Sequence, residues 1–207
     1  MAGRGDLGRP QARGVSPALA LTLASTSPQR RAILAQLSIP FTAVAPGYVE
    51  HDPPDADPIA LVRDHALGKA RSVHAADGWT LGVDTTVVLD GVVYAKPADA
   101  ADARAMLGVL CGRTHVVHSG LCLLGPGVEE LVDVATTVAF RAFDEHELAA
   151  YLATGEWEGR AGGYAIQGLG ARLVARINGD YLNVVGLPAA ALLDLLKRHV
   201  PGLLAAG

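Results

Sequence analysis

"LTLASTSPQRRAILAQL", residues Leu21 to Leu37, joins an apolar run to an amphipathic helical pattern through Ser25-Thr26-Ser27-Pro28. Ser25, Thr26 or Ser27 can cap the helix by accepting from its free N–H groups, worth about 1 kcal/mol. Pro28 suits the first helical position, where no N–H is needed. Arg30 and Arg31 run against this design. A helix start carries roughly half a positive charge, so a cation there costs about 0.3–1 kcal/mol. Two readings account for the pair: the arginines point to solvent and meet surface carboxylates, or an anion sits at the helix start. In the second, backbone N–H groups, serine hydroxyls and guanidinium forks would hold it together.

The same alternation of apolar runs and helical patterns continues down the chain. "ALALTLA" reads as a first buried strand and "FTAVAPG" as a second, followed by the polar loop "EHDPPDADP". Asp57 then caps a helix opened by Pro58, "PIALVRDHALGKARSV". "WTLGVDTTVVLDGVVYAKP" holds two β-rich runs about Asp90-Gly91, a strong hairpin signal. A helix is expected from Asp99 to Leu110, then a second hairpin from "THVVHSGLCLLG" and "EELVDVATTVAFRAF" about Gly-Pro-Gly. Asp144 with Glu147 forms a capping box for the next helix. Beyond the glycine-rich "GRAGGYAIQGLG", the strands "ARLVARI" and "YLNVVG" are expected about a Gly-Asp turn, and "PAAALLDLLKRH" closes as a helix. Helices interleaved with hairpins predict an α/β or α+β fold with a mixed sheet, not a purely parallel one.

At 207 residues, 50% hydrophobic and 18% charged, the chain has the makings of an ordinary globular core. A net charge of −4 argues against a nucleic-acid partner, which requires a basic face. No apolar run approaches the roughly 18 residues of a membrane span. Two cysteines, Cys111 and Cys122, form neither a metal spacing nor a disulfide framework, which suggests a reducing compartment and a cytoplasmic protein. Arginines before a short apolar segment give the start the outline of a signal peptide. Cleavage there would destroy the strand-to-helix junction, so residues 1–17 read as a flexible tail and 18–200 as one domain.

Several residues could carry chemistry. Asp84 stands within "LGVDTTVVL", otherwise a buried strand, where a carboxylate needs a cation, a metal or several donors. It could also be a strand-end acid bonded to nearby backbone. Lys96 lies at a strand end before proline; alone, it reads as a solvated surface lysine. Lys69, late in a helix, already suits the dipole. Glu50 could hold a metal beside Asp84 or be a loop acid. Five glycines in residues 159–170 either let backbone approach a ligand or merely connect elements, and Gln167 among them offers a donor and an acceptor to a base edge. His115 and His118, three apart on a strand, face opposite ways and read as surface or packing residues. There is no Walker motif, no dinucleotide fingerprint and no Ser–His–Asp pattern.

Taken together, "LASTSPQRRAILAQL", "GVDTTVVLDG" with "AKPAD", "LCGRTHVVHSG", "AGGYAIQGLGA" and "GDYLNVVGLP" resemble the Maf family of nucleoside triphosphate pyrophosphatases, over residues 19 to 198. The resemblance implies an inosine triphosphatase-like fold, an elongated mixed sheet flanked by helices around a central cleft, and a homodimer. It implies that Ser25, Ser27, Arg30 and Arg31 cradle a triphosphate and that Asp84 is the catalytic acid. Glu50, Lys69, Lys96 and Gln167 fall on polar cleft positions. Thr85 and Gln167 agree with the dTTP/UTP subgroup, while Gln29 replaces the arginine of many members and leaves the base open. Ala95, Arg160 and "GVDT" are conservative departures.

The activity implied is hydrolysis between the α- and β-phosphates, with Mg²⁺ or Mn²⁺ held by Asp84 and Glu50. Asp84 either takes the proton of the attacking water or positions the metal. Arg30, Lys69 and Lys96 would stabilise the leaving pyrophosphate, and Gln29 and Gln167 would face the base. A nucleotide-binding regulator of cell division acting through a protein partner would use the same cradle, but gains nothing from a second anion at Asp84.

Overall fold

The computed structural model describes residues 19–53 and 56–204. The expected tail, residues 1–17, lies outside them. Seven strands form one mixed sheet: β1 (Leu21–Ala24), β2 (Phe41–Val44), β3 (Trp79–Leu89), β4 (Val92–Tyr94), β5 (Thr114–Gly125), β6 (Val128–Phe140) and β7 (Val174–Asn178). Their order is β2-β1-β3-β5-β6-β7, with β4 hairpinned onto the far end of β3. The β1 strand runs parallel to both β2 and β3; all other pairings are antiparallel. The helices are α1 (Pro28–Gln36), α2 (Pro58–Val73), α3 (Ala100–Leu110), α4 (Glu145–Leu152), α5 (Tyr181–Val185) and α6 (Ala189–His199).

Local chemistry explains most boundaries. Ser27, Asp57, Asp99 and Asp144 each cap the helix that follows, and the Asp144–Glu147 capping box is complete. Asp90 and Gly91 both take positive φ, 51° and 80°, as a two-residue hairpin turn requires.

One segment departs from expectation. "YLNVVG" is not a strand: Tyr181–Val185 is the short helix α5, and "ARLVARI" begins in a 3-10 turn (Leu169–Leu173) before β7. Asp180 caps α5 by accepting from the Leu182 N–H. The Asn183 amide is fully buried and donates to the Val117 and Val134 carbonyls and to Thr136 Oγ1. Those long-range bonds override the β preference of Val184 and Val185.

Two apolar clusters pack along one face of the sheet. One packs Leu21, Leu23, Leu81, Val83, Leu121 and Leu123 with α1 and α6; the other packs Val87, Val117, Val138 and Phe140 with α3, α4, Tyr164 and Ile166. On the sheet's other face α2 rests directly on backbone. A Cβ at Gly82 would lie 2.0 Å from the Ala66 carbonyl oxygen, and one at Gly120 2.2 Å from that of Val62. Only glycine permits so close a seat, and it fixes the height of α2 above β3.

Candidate active site

The site arises where β1 stops and β3 does not. Their pairing ends at Ala24 opposite Gly82, so the next residues of β3, Val83 to Thr85, run past the open end of β1. The chain leaving β1 turns there into α1. This is the crevice at the carboxyl ends of parallel strands that open α/β sheets use for ligands.

The turn gathers hydroxyls, backbone N–H groups and one guanidinium at the start of α1. Ser27 caps α1 by accepting from the Arg30 N–H at 3.5 Å, and Ser25 Oγ accepts from the Ser27 N–H at 3.1 Å. Arg30 is locked in place: Nε donates to the Gly186 carbonyl at 2.9 Å, one Nη to Ser25 Oγ at 3.3 Å and the other to Thr85 Oγ1 at 3.2 Å. Thr85 is braced in turn by the buried Ser119 hydroxyl at 2.8 Å. Burial pushes the Arg30 pKa down, against the opposing pull of Asp84 and Glu50; a guanidinium nevertheless keeps its charge in proteins. Among the described residues Arg30 forms no ion pair, so a fixed cation stands at the helix start. Arg31 does not join it; it is exposed on α1, as the solvent reading has it.

Helix α2 supplies the second half. His65, Ala66, Lys69 and Ala70 form its buried stripe over β3. Lys69 Nζ lies 2.5 Å from both Asp84 Oδ1 and Glu50 Oε1, a buried lysine and not one simply matched to the dipole. Tyr48 packs on the space left by Gly68, where a Cβ would meet its ring at 2.3 Å, and so leads the loop bearing Glu50 over Lys69. His65 Nδ1 stands 3.4 Å from Asp84 Oδ2. Only 14% of the Asp84 side chain is exposed. Burial works against its charge, but His65, Lys69 and Arg30 outweigh it and hold the carboxyl below its ordinary range. The same hydrogen bond raises the His65 pKa against its own burial.

A cleft of about 410 Å³ connects these groups. Ser25, Ser27, Gln29, Arg30, Glu50, Lys69, Thr85, Lys96 and Gln167 all line it, with Asp84 immediately behind Lys69. Its opposite wall is the glycine-rich segment, where Gly162 and Gly163 take φ of 68° and 71° and the Gly162 N–H bonds the Ala95 carbonyl. That bond ties the loop to the residue before Lys96. Tyr151 Oη accepts from the Ala165 N–H, fixing the segment that ends in exposed Gln167. Arg160 also lines the cleft, its Nε buried without a partner among the described residues.

Glu50, His65 and Asp84 each offer one ligand atom, all within 4.8 Å of one another, a donor set that fits a divalent cation. Lys69 Nζ occupies the space between two of these donors. His65 belongs to no motif that the sequence displays. Its signal was the His65–Lys69 spacing of four on one helix face, legible only once that face is known to cover Asp84.

The fold and site define a class: an α/β protein whose cleft brings a helix start and a buried arginine beside a caged, ionised carboxylate. Residues 20–199 match the Maf-like protein family, and the chain belongs to it. It is 42% identical over 177 residues to a dTTP/UTP pyrophosphatase of Deinococcus radiodurans, covering 84% of this chain and 90% of that one. It is 48% identical over 181 residues to the dTTP/UTP pyrophosphatase of Nitratidesulfovibrio vulgaris, covering 86% of each. A third of that name, from Moorella thermoacetica, is 46% identical over 185 residues, 85% of this chain and 93% of that one. Among solved structures, the Staphylococcus aureus Ham1 protein aligns with 58% of this chain and 71% of its own at a TM-score of 0.41 and 11% identity, too partial a likeness to bear on the site.

Proposed function

We propose that this protein hydrolyses nucleoside triphosphates to the monophosphate and pyrophosphate, acting on dTTP and UTP. The observation that carries the reading is the placement of Arg30 and the α1 start in one cleft with the Lys69–Asp84–Glu50 cage. A triphosphate is long and anionic enough to engage both. Relatives at 42–48% identity named dTTP/UTP pyrophosphatases support the reaction and the bases.

In this mechanism Ser25, Ser27, the free N–H groups of α1 and Arg30 bind phosphate oxygens. Arg30 needs no reorganisation, because Gly186 and Thr85 already hold it. Asp84, ionised, accepts a hydrogen bond from the water that attacks the α-phosphorus and orients it in line with the β-phosphate. Lys69, leaving the carboxylates, and exposed Lys96 neutralise charge on the departing pyrophosphate. Mg²⁺ or Mn²⁺ held by Asp84 and Glu50 would add charge neutralisation at the phosphate oxygens. Gln167 and Gln29 face the base, and the Gln167 amide can pair with the O4 and N3–H edge of uracil or thymine.

The reading extends to a homodimer in the cytoplasm, with residues 18–200 as one catalytic unit. The family resemblance supports the dimer, and the free thiols of Cys111 and Cys122 support the compartment. No helix among the described residues is long and apolar enough to cross a membrane.

The test is a panel of nucleoside triphosphates with Mg²⁺ and Mn²⁺, assayed separately for pyrophosphate and orthophosphate, with wild type and Asp84→Asn. Pyrophosphate from dTTP and UTP, abolished in the variant while nucleotide still binds, is the expected result. Nucleotide binding without turnover in either protein would leave only a binding role.

A further inference from the structure

His65 is almost fully buried, 3% exposed, and both its ring nitrogens face oxygen acceptors. On one side Nε2 lies 3.4 Å from the His51 carbonyl oxygen and 3.3 Å from Asp52 Oδ1. On the other, Nδ1 lies 3.4 Å from Asp84 Oδ2. A neutral imidazole carries one N–H and one lone pair, so it can serve only one side. As an imidazolium the ring donates to both sides; in the neutral form that ligation requires, with Nε2 donating to His51 and Asp52, the Nδ1 lone pair faces the carboxylate, and a cation would fit between them. Imidazoles that ligate metals are oriented in just this manner: the far ring N–H is given to a carboxylate or a backbone carbonyl, which fixes the tautomer and raises the basicity of the ligating nitrogen.

We propose that His65 Nδ1 is a ligand of the divalent cation alongside Asp84 and Glu50, with Asp52 and the His51 carbonyl as its outer supports, and that this imidazole biases the site toward first-row transition ions over Mg²⁺. The three donor atoms already stand within 4.8 Å of one another without any movement of α2. Gly82 and Gly120 let α2 seat directly on backbone beside Asp84, which is what brings His65 within reach of it. Carboxylate oxygens alone suit Mg²⁺, whereas an added imidazole nitrogen favours softer divalent ions. Lys69 is the resident cation of the same space, 2.5 Å from each carboxylate. With a cation held by these donors, the Lys69 ammonium would be free to turn into the cleft it lines and meet a bound phosphate. The inference rests on the proposed pyrophosphatase only for the purpose of the site; the ligand claim stands or falls without nucleotide.

The experiment uses the full chain with Mn²⁺ as probe and no nucleotide. Electron spin-echo envelope modulation of bound Mn²⁺ reports nitrogen ligation directly. Wild type is expected to show imidazole ¹⁴N coupling, lost in His65→Gln. Mn²⁺ affinity, followed by the free-ion resonance, should fall about ten- to hundredfold in His65→Gln and by a comparable factor in Asp52→Asn, with a smaller loss for Mg²⁺ measured by competition. Wild-type protein that binds Mn²⁺ without nitrogen coupling would overturn the proposal, whatever the variants do. So would coupling that persists in a folded His65→Gln. Because turnover enters neither readout, a failure here is distinct from a failure to release pyrophosphate.

Discussion

Replacing Gly82 with alanine adds one methyl group at the contact that sets the height of α2. The new Cβ would fall 2.0 Å from the Ala66 carbonyl oxygen and 2.9 Å from both the Ala70 backbone nitrogen and its Cβ. Ordinary non-bonded contact lies near ~3.5 Å, so the helix must retreat by roughly 1.5 Å at Ala66. No flexible side chain can absorb the clash, since the nearest atoms belong to helix backbone. Overpacking of this kind costs about 1–3 kcal/mol. The functional cost is larger in proportion. Lys69 and His65 flank Ala66 on the same stripe, so they move off Asp84 together, and a misplacement of about 1 Å in a catalytic array costs on the order of 100-fold in rate. Thermal unfolding and kcat for pyrophosphate release, measured side by side, check both numbers. A variant with wild-type Tm and wild-type kcat would refute the claim that backbone contact at Gly82 positions the cage.

Other expectations follow from the buried polar groups. His115, walled in against Phe140 and bonded through Nε2 to Tyr164 Oη, has its pKa pushed down to about 4 by burial. Because the folded value lies below the unfolded ~6.5, the unfolded chain binds the extra proton; stability is full above about pH 6.5 and declines toward pH 4 by up to about 3 kcal/mol. Urea midpoints at pH 7.5 and 5.0 should therefore converge in His115→Gln relative to wild type. Asn183→Ala removes donors from the Val117 and Val134 carbonyls and Thr136 Oγ1, at about 2–3 kcal/mol. It also loosens α5, whose C-terminal Gly186 carbonyl holds Arg30, so KM for the triphosphate should rise by more than kcat falls; an unchanged KM would separate α5 from the phosphate seat.

Much of this site is written in short-range chemistry. The Ser25–Arg30 turn, the Asp90-Gly91 hairpin and the Asp144–Glu147 box depend on neighbours in sequence, and each appears where its residues place it. Asp84 stood out because a carboxylate in an apolar strand demands a partner, and the partners exist. What escaped was long-range. Tyr181–Val185 became helical through Asn183 bonds reaching 47 to 66 positions away. Lys69 looked adequately explained by the helix dipole until α2 was seated on two glycines of other strands, and His65 gained significance by the same event. Arg30 and Arg31 are adjacent and chemically alike, yet the 100° between successive helical residues sends one into the cleft and the other to solvent.

The central claim is that water held at Asp84 attacks the α-phosphorus of a triphosphate bound at the start of α1. Single-turnover hydrolysis of dTTP in ¹⁸O-labelled water, with mass analysis of both products, tests it most directly. One ¹⁸O should appear in the nucleoside monophosphate and none in pyrophosphate. Label appearing in pyrophosphate, or in orthophosphate, would place the attack on the β- or γ-phosphorus and contradict it.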